Sequence, residues 1–213
     1  MKLQLALDQT DLDGCCTLLD QIADLVDIAE IGTPLIMREG ISAVARVKDD
    51  FPHLEVLADL KIMDAGAHEA AIGFYAGADI VTVLGVAHDS TVGGVIDQAR
   101  TSDRQVMVDL IAVPDPVQRA AELDAMAAHY LCVHTAYDVQ SQGFDPLEEL
   151  RLVQPVLKNA TLAVAGGVKP ETMPGIAPYD PEIVVVGGFI TGHPNPRQAA
   201  RQIREHFSQG DAL

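Results

Sequence analysis

Eight short runs of β-branched and other apolar residues, starting roughly 22 to 31 residues apart along a chain of 213, predict an α/β fold: a single small (β/α)₈ TIM barrel. Three observations lead there. The runs are near-continuously apolar rather than alternating, as parallel strands covered on both faces are. Each interval leaves room for one helix and two short loops. No linker or shift in composition divides the chain, so residues 1–213 read as one catalytic domain whose active site lies at the C-terminal face of the strands.

The strands fall, in order, at Leu3 to Leu7, Ile28 to Ile31, Leu54 to Leu60, Ile80 to Leu84, Gln105 to Leu110, Tyr130 to Val133, Thr161 to Ala165 and Ile183 to Val186. Between the first two, Leu12, Cys15, Leu19, Ile22 and Val26 recur at helical spacing, while Asp13, Asp20 and Asp24 can face water. Pro114 and Pro116 open a helix that runs to about Ala128. The last helix has Asn195 as its cap, Pro196 in its first position and an apolar stripe of Ala199, Ile203 and Phe207. An open dinucleotide-binding sheet is disfavoured, because the first strand runs into Leu7-Asp8-Gln9-Thr10 instead of a glycine-rich turn.

Composition narrows the function. An apolar content of 48% excludes a disordered chain. Lys plus Arg number 14 against 31 Asp plus Glu, and the resulting formal charge of −17 repels phosphate backbones and anionic lipid, so neither nucleic acid nor membrane is an expected partner. No basic leader precedes an apolar run, and no stretch approaches the length of a membrane span, so a cytoplasmic location is expected. Cys15 and Cys16 are adjacent and Cys132 stands alone, a pattern that fits buried thiols better than a disulfide framework or a metal site.

Polar residues stand where the apolar runs end: Asp8, Glu30, Asp59 followed by Lys61 and Asp64, Asp109 and His134. A lone Asp after a strand commonly caps the next helix. In a closed barrel, however, the ends converge on one rim, which brings Asp8, Glu30, Asp59, Lys61 and His134 to a shared cavity. Asp59 and Lys61 are two apart on a strand and so face the same way. Flanking carboxylates hold such a lysine protonated, as a hydrogen-bond donor and electrostatic stabiliser rather than a Schiff-base nucleophile. Gly166-Gly167 and Gly187-Gly188 follow the seventh and eighth strands, where barrels bind phosphate, and point to a phosphorylated substrate.

With Asp8, Glu30-Ile31-Gly32-Thr33-Pro34, Asp59-x-Lys61-x-x-Asp64 and the two glycine loops, the chain resembles the orotidine 5′-monophosphate decarboxylase superfamily along its whole length. Within it, residues Ala58 to Gly66 and Val133 to Gln140 look most like the 3-hexulose-6-phosphate synthases. The resemblance implies an aldehyde-lyase that joins formaldehyde to D-ribulose 5-phosphate in a Mg²⁺-dependent aldol addition, passing through an enediolate to D-arabino-hex-3-ulose 6-phosphate. It implies Glu30 and Asp59 as carboxylate ligands of Mg²⁺, His134 as the general base at C1, Lys61 as donor to the developing oxyanion and Asp8 as acceptor from a substrate hydroxyl. It also implies a homodimer with shared active sites, in which Asp64 reaches the neighbouring subunit's site. Helix capping is the other reading of Asp64, and a strand-end imidazole bonded to a carbonyl the other reading of His134.

The close relative is 3-keto-L-gulonate-6-phosphate decarboxylase, which shares the carboxylate, lysine and histidine set. Its pattern carries an Arg three residues after the sixth-strand His and another in the eighth-strand glycine loop. Tyr137 and Gly188 stand there in this chain, which favours the synthase, and Tyr137 is expected to border the pocket for the carbonyl acceptor. A non-catalytic sugar-phosphate-binding barrel would not need the proton-transfer residues, and a pentulose-phosphate epimerase would need imidazole ligands for its metal. His68, His88, His129 and His193 show no metal-ligand spacing.

Overall fold

The computed structural model describes residues 1–8, 11–142 and 146–207. Its eight parallel strands are β1 (Lys2–Leu7), β2 (Ile28–Ile31), β3 (Glu55–Ile62), β4 (Ile80–Leu84), β5 (Gln105–Asp109), β6 (Tyr130–His134), β7 (Thr161–Ala165) and β8 (Ile183–Val186). They close into a barrel in chain order, β8 pairing back on β1 through Leu3↔Val184 and Leu5↔Val186. The helices are α1 (Leu12–Ile22), α2 (Thr33–Glu39), α3 (Ser42–Asp50), α4 (Gly66–Tyr75), α5 (Asp89–Thr101), α6 (Pro116–Ala125), α7 (Pro146–Val153), α8 (Met173–Ile176), α9 (Gly188–Thr191) and α10 (Pro196–Arg204). The expected TIM barrel is the observed one.

The period-2 geometry of a strand divides its residues between two cores. On β1, Leu3, Leu5 and Leu7 point outward and join the layer between strands and helices, with Val44, Val47 and Ile203 among others. Ala6 points inward, where it meets Ile28, Leu57, Ile80, Met107, Tyr130, Cys132, Ile183 and Val185. These side chains fill the barrel, so ligands have access only at its mouth. Cys15, Cys16 and Cys132 are buried and form no disulfide among the described residues. No described helix is long and apolar enough to cross a membrane.

Local differences from the expected elements have local causes. α1 stops at Ile22 and a 3₁₀ turn, Ala23–Leu25, completes the path to Val26. α6 opens at Pro116 rather than Pro114, because the Asp115 carboxylate accepts from the Gln118 N–H at 3.0 Å and sets the first turn there; it ends at Ala125. α10 starts at Pro196 with Asn195 accepting from the Gln198 N–H at 3.0 Å, as expected. β3 extends two residues past its apolar run. Its register with β4 jumps from Ala58↔Val81 to Ile62↔Val83, so that Asp59, Leu60 and Lys61 stand against the single residue Thr82. Lys61 takes a left-handed backbone (φ 47°) in this bulge, and its N–H donates to Thr82 Oγ1 at 2.9 Å.

The face opposite the mouth is fastened by charge. Asp124, buried at the end of α6, accepts from the N–H groups of Lys158 (3.0 Å), Asn159 (2.8 Å) and Ala160 (2.7 Å) and from the Asn159 amide (3.0 Å). Burial alone would raise its carboxyl, but these donors outweigh that and hold it below the ordinary range. A depressed native pKa stabilises the fold above the unfolded value of about 3.9 and is lost as pH falls toward the native value. Asp124→Ala is expected to cost about 3 kcal/mol by denaturant unfolding at neutral pH, and less near pH 3. An equal loss at both values would show that the carboxylate charge contributes nothing.

Candidate active site

The strand ends meet in one cavity of about 880 Å³ at the C-terminal mouth of the barrel, lined by Asp8, Glu30, Asp59, Lys61, His134 and the four glycines at 166, 167, 187 and 188. Asp59 is its hub. Oδ1 accepts from Thr82 Oγ1 at 2.7 Å, and Oδ2 lies 2.5 Å from Lys61 Nζ and 2.8 Å from Thr33 Oγ1. The bulge in β3 thus does two jobs: it turns the Lys61 ammonium back over the carboxylate two residues earlier, and it leaves Thr82 to bind both the bulged backbone and the Asp59 side chain.

The Asp8, Glu30 and Asp59 carboxylates share this mouth with the half-buried Lys61 ammonium, and Asp109 Oδ2 lies 3.7 Å from its Nζ. Burial, Asp59 and Asp8 together push the Glu30 carboxyl up to about 8, although Gln4 Nε2 donates to its Oε2 at 2.6 Å. Burial and Asp59 raise Asp8, against the pull of Lys61 and His134. Burial also works against both members of the Asp59–Lys61 pair. For Asp59 it is outweighed by Lys61 and the Thr82 and Thr33 hydroxyls, which keep it low. For Lys61 it is outweighed by Asp59, Asp109 and Glu30, which hold the ammonium protonated well above neutral pH. Among the described residues, no group of three or more His, Cys, Asp or Glu side chains is arranged to hold a metal by itself.

Asp8 does not cap α1, whose N-terminal N–H of Gly14 bonds to Asp11 instead. Its Oδ1 lies 1.8 Å from where a Cβ on Gly32 would stand, so glycine at that position is what lets the carboxylate lie there. His134 Nδ1 is 2.8 Å from Asp109 Oδ2, not against a carbonyl, and Asp109 Oδ1 accepts from the Ile111 N–H at 2.9 Å. In the neutral ring, a carboxylate at this distance favours the Nδ1–H tautomer, in which Nε2 carries the lone pair. Glu149 on α7 sits close enough to feel both groups, and burial pushes its carboxyl up.

The two glycine loops also line the cavity. Gly166 has φ 91°, and a Cβ there would lie 2.2 Å from the Thr135 carbonyl oxygen. Among the described residues, nothing accepts from the N–H groups of Gly166, Gly167, Gly187 and Gly188, which leaves these donors for a ligand. Asp64 is placed apart from the others. It is exposed beyond β3, its Oδ1 accepts from the Ala65 N–H at 2.8 Å, and it does not line the cavity of its own chain.

Residues 1–203 match the model of the Orotidine 5'-phosphate decarboxylase / HUMPS family. This chain belongs to that family. A 3-hexulose-6-phosphate synthase of Staphylococcus aureus (strain NCTC 8325 / PS 47) is 46% identical over 204 residues, which is 96% of this chain and 97% of that protein. The crystal structure of 3-hexulose-6-phosphate synthase from Salmonella typhimurium superposes with a TM-score of 0.96 at 42% identity, covering 99% of this chain and 100% of that one. That of 3-keto-L-gulonate-6-phosphate decarboxylase from Vibrio cholerae O1 superposes with a TM-score of 0.87 at 25% identity, over 98% of this chain and 97% of that one.

In this family member the strand-end pattern finds only part of the site. Gln4, Thr33, Thr82 and Lys169 also line the cavity, and so does Asp109, a strand-end residue to which the sequence assigns no role. Thr33 and Thr82 are single hydroxyls at helix and strand positions that most threonines occupy for structural reasons. Gln4 did carry a signal, since it is a polar residue at an inward position of the alternating Leu3-Gln4-Leu5-Ala6-Leu7. Lys169 follows the Gly166-Gly167 turn and adds a second ammonium at the rim.

Proposed function

We propose that this chain is a cytoplasmic enzyme of the aldehyde-lyase type, adding formaldehyde to D-ribulose 5-phosphate to form D-arabino-hex-3-ulose 6-phosphate. The observation that carries the reading is full-length identity of 46% to a protein named 3-hexulose-6-phosphate synthase. The cavity supports it with one residue for each task. His134, oriented by Asp109, takes the proton from C1 of the sugar phosphate through Nε2. Lys61 donates to the oxygen on which negative charge then develops. Asp8 accepts from a substrate hydroxyl and fixes its orientation. The free N–H groups at Gly166, Gly167, Gly187 and Gly188, with Lys169 beside them, hold the phosphate. Tyr137 and Gly188, in place of two cations, leave room and low charge for a small neutral aldehyde.

The residues fit a divalent cation. Two buried carboxylates, Glu30 and Asp59, face the cavity as hard oxygen donors, Glu30 is held in an environment short of positive charge, and Gln4 Oε1 is buried with no partner. Mg²⁺ takes one or two carboxylates and completes its shell with water and substrate oxygens, so a two-carboxylate site suits it. When bound, Mg²⁺ would supply Lewis-acid stabilisation of charge on the sugar oxygens.

The deciding assay incubates the purified protein with Mg²⁺, ribulose 5-phosphate and formaldehyde, and compares formaldehyde loss with CO₂ release from 3-keto-L-gulonate 6-phosphate. Formaldehyde consumption that stops with EDTA and returns with Mg²⁺ is the expected outcome. Faster CO₂ release would instead assign the decarboxylase reaction, and neither activity would leave a sugar-phosphate-binding barrel.

Gly32→Ala tests the placement of Asp8. The backbone at Gly32 (φ −65°) accepts alanine, but the new methyl displaces the carboxylate. We expect kcat/KM to drop by about 100-fold with little change in melting temperature. Unaltered kinetics would remove Asp8 from the machinery.

The same reading makes the chain a homodimer, since Asp64 has a role only in a neighbour's cavity. Separately inactive Asp64→Ala and His134→Ala proteins should regain activity when mixed under subunit exchange, because each mixed dimer holds one intact site. No recovery, with exchange verified, would confine each site to one chain.

A further inference from the structure

Gln4 is buried at 1% exposure on β1, one inward layer below Ala6, among Met107, Cys132 and Val185 at the floor of the cavity. A polar amide in that layer costs stability unless both ends are matched. One end is: Nε2 donates to Glu30 Oε2 at 2.6 Å. The other is not, since Oε1 is buried with no partner among the described residues. Leucine or methionine would fill the same volume without an orphaned acceptor, so packing does not account for glutamine here. Carboxylates that ligate metals are themselves held by hydrogen bonds from an outer layer of side chains, and removing such a partner weakens binding.

We propose that Gln4 is a positioning residue of the divalent-cation site: its Nε2–H holds one Glu30 oxygen and leaves the other for the cation, and its Oε1 accepts from a water that the cation carries. This rests on the Mg²⁺-dependent reading above. Gln4 acts through Glu30 and touches neither the sugar nor the aldehyde, so its effect belongs to cation affinity and not to the chemical step.

The test titrates Mn²⁺ into the whole protein, with and without ribulose 5-phosphate, and reads free Mn²⁺ by electron paramagnetic resonance. The parent is compared with Gln4→Met, which keeps the volume, and Gln4→Asn, which keeps an amide but draws it back by one methylene. Both variants are expected to bind Mn²⁺ about 10- to 100-fold more weakly and to need correspondingly more Mg²⁺ for half-maximal turnover, with kcat recovered at saturating Mg²⁺. Circular dichroism establishes folding; if Gln4→Met does not fold, Gln4→Asn is read alone. Parent-like Mn²⁺ affinity in a folded variant overturns the proposal, as does lost turnover that saturating Mg²⁺ does not restore. Absence of Mn²⁺ binding by the parent overturns the cation reading as well, whereas tight binding by parent and variant alike sinks only the role of Gln4.

Discussion

Replacing His134 with alanine is expected to lower kcat by about 10²- to 10⁴-fold, the range contributed by a positioned acid or base. The substitution removes the imidazole facing the cavity and leaves Asp109 with its Ile111 N–H bond and the Lys61 ammonium 3.7 Å away, so the carboxylate is not orphaned. Inorganic phosphate and ribulose 5-phosphate should still bind nearly as well, because the anchors proposed for them lie on the β7 and β8 loops. Isothermal titration of the phosphate ligand alongside steady-state kinetics separates the two quantities. Full turnover would end the proton-transfer role, and a parallel collapse of phosphate affinity would mean that the variant disturbs the whole mouth. Exchange of the C1 hydrogen of ribulose 5-phosphate with D₂O, measured without formaldehyde, isolates the step further and should vanish in the same variant.

Lys61→Met has a double effect, on stability and on rate. Lys61 is the cation that Asp59 contacts at 2.5 Å, and Asp59 is 5% exposed. Removing one partner of such a pair strands the other charge. Thr33 and Thr82 remain bonded to Asp59, so the cost is expected at about 2 to 3 kcal/mol, below that of a fully buried pair losing every partner. Loss of the donor to developing charge should reduce kcat/KM by about 10²- to 10³-fold beyond any fraction unfolded. Lys61→Arg keeps the charge but not the compact ammonium that the bulge accommodates; it should recover stability more than rate. If Lys61→Met unfolds no more readily than its parent, the pair contributes nothing to the fold, and if its kcat/KM is unchanged, Lys61 is not an electrostatic participant.

The strands were legible because both faces of a parallel barrel strand are covered, which writes each as an unbroken apolar run. That is why β2, β4, β7 and β8 fall on the expected residues. The charge at Lys61 interrupts the apolar run of β3, so the sequence alone ends that strand two residues before the bulged strand itself does. Asp8, Glu30, Asp59, Lys61 and His134 were legible together, each being a polar residue where an apolar run stops. The bond from Asp109 to His134 was not, because it joins residues 25 apart through a register that only the closed barrel sets. The space that Gly32 gives Asp8 was hidden for a related reason: what matters there is an absent methyl. Asp64 lies at the limit of what one chain can say, since its sequence neighbours place it past β3 but not beside any particular cavity.

The jump from Ala58↔Val81 to Ile62↔Val83 also governs how this molecule can change in length. The surplus in the third strand is an even number, so the alternation resumes in frame and Ile62 still packs outward. Losing or gaining a single codon within 59–60 would exchange the two faces beyond it, turning the Lys61 ammonium against the helices and Ile62 toward the cavity. A pairwise deletion would restore a plain strand with its faces in frame while removing the turn that lays the Lys61 ammonium over Asp59. Changes of length at this point therefore keep both faces in frame only in steps of two.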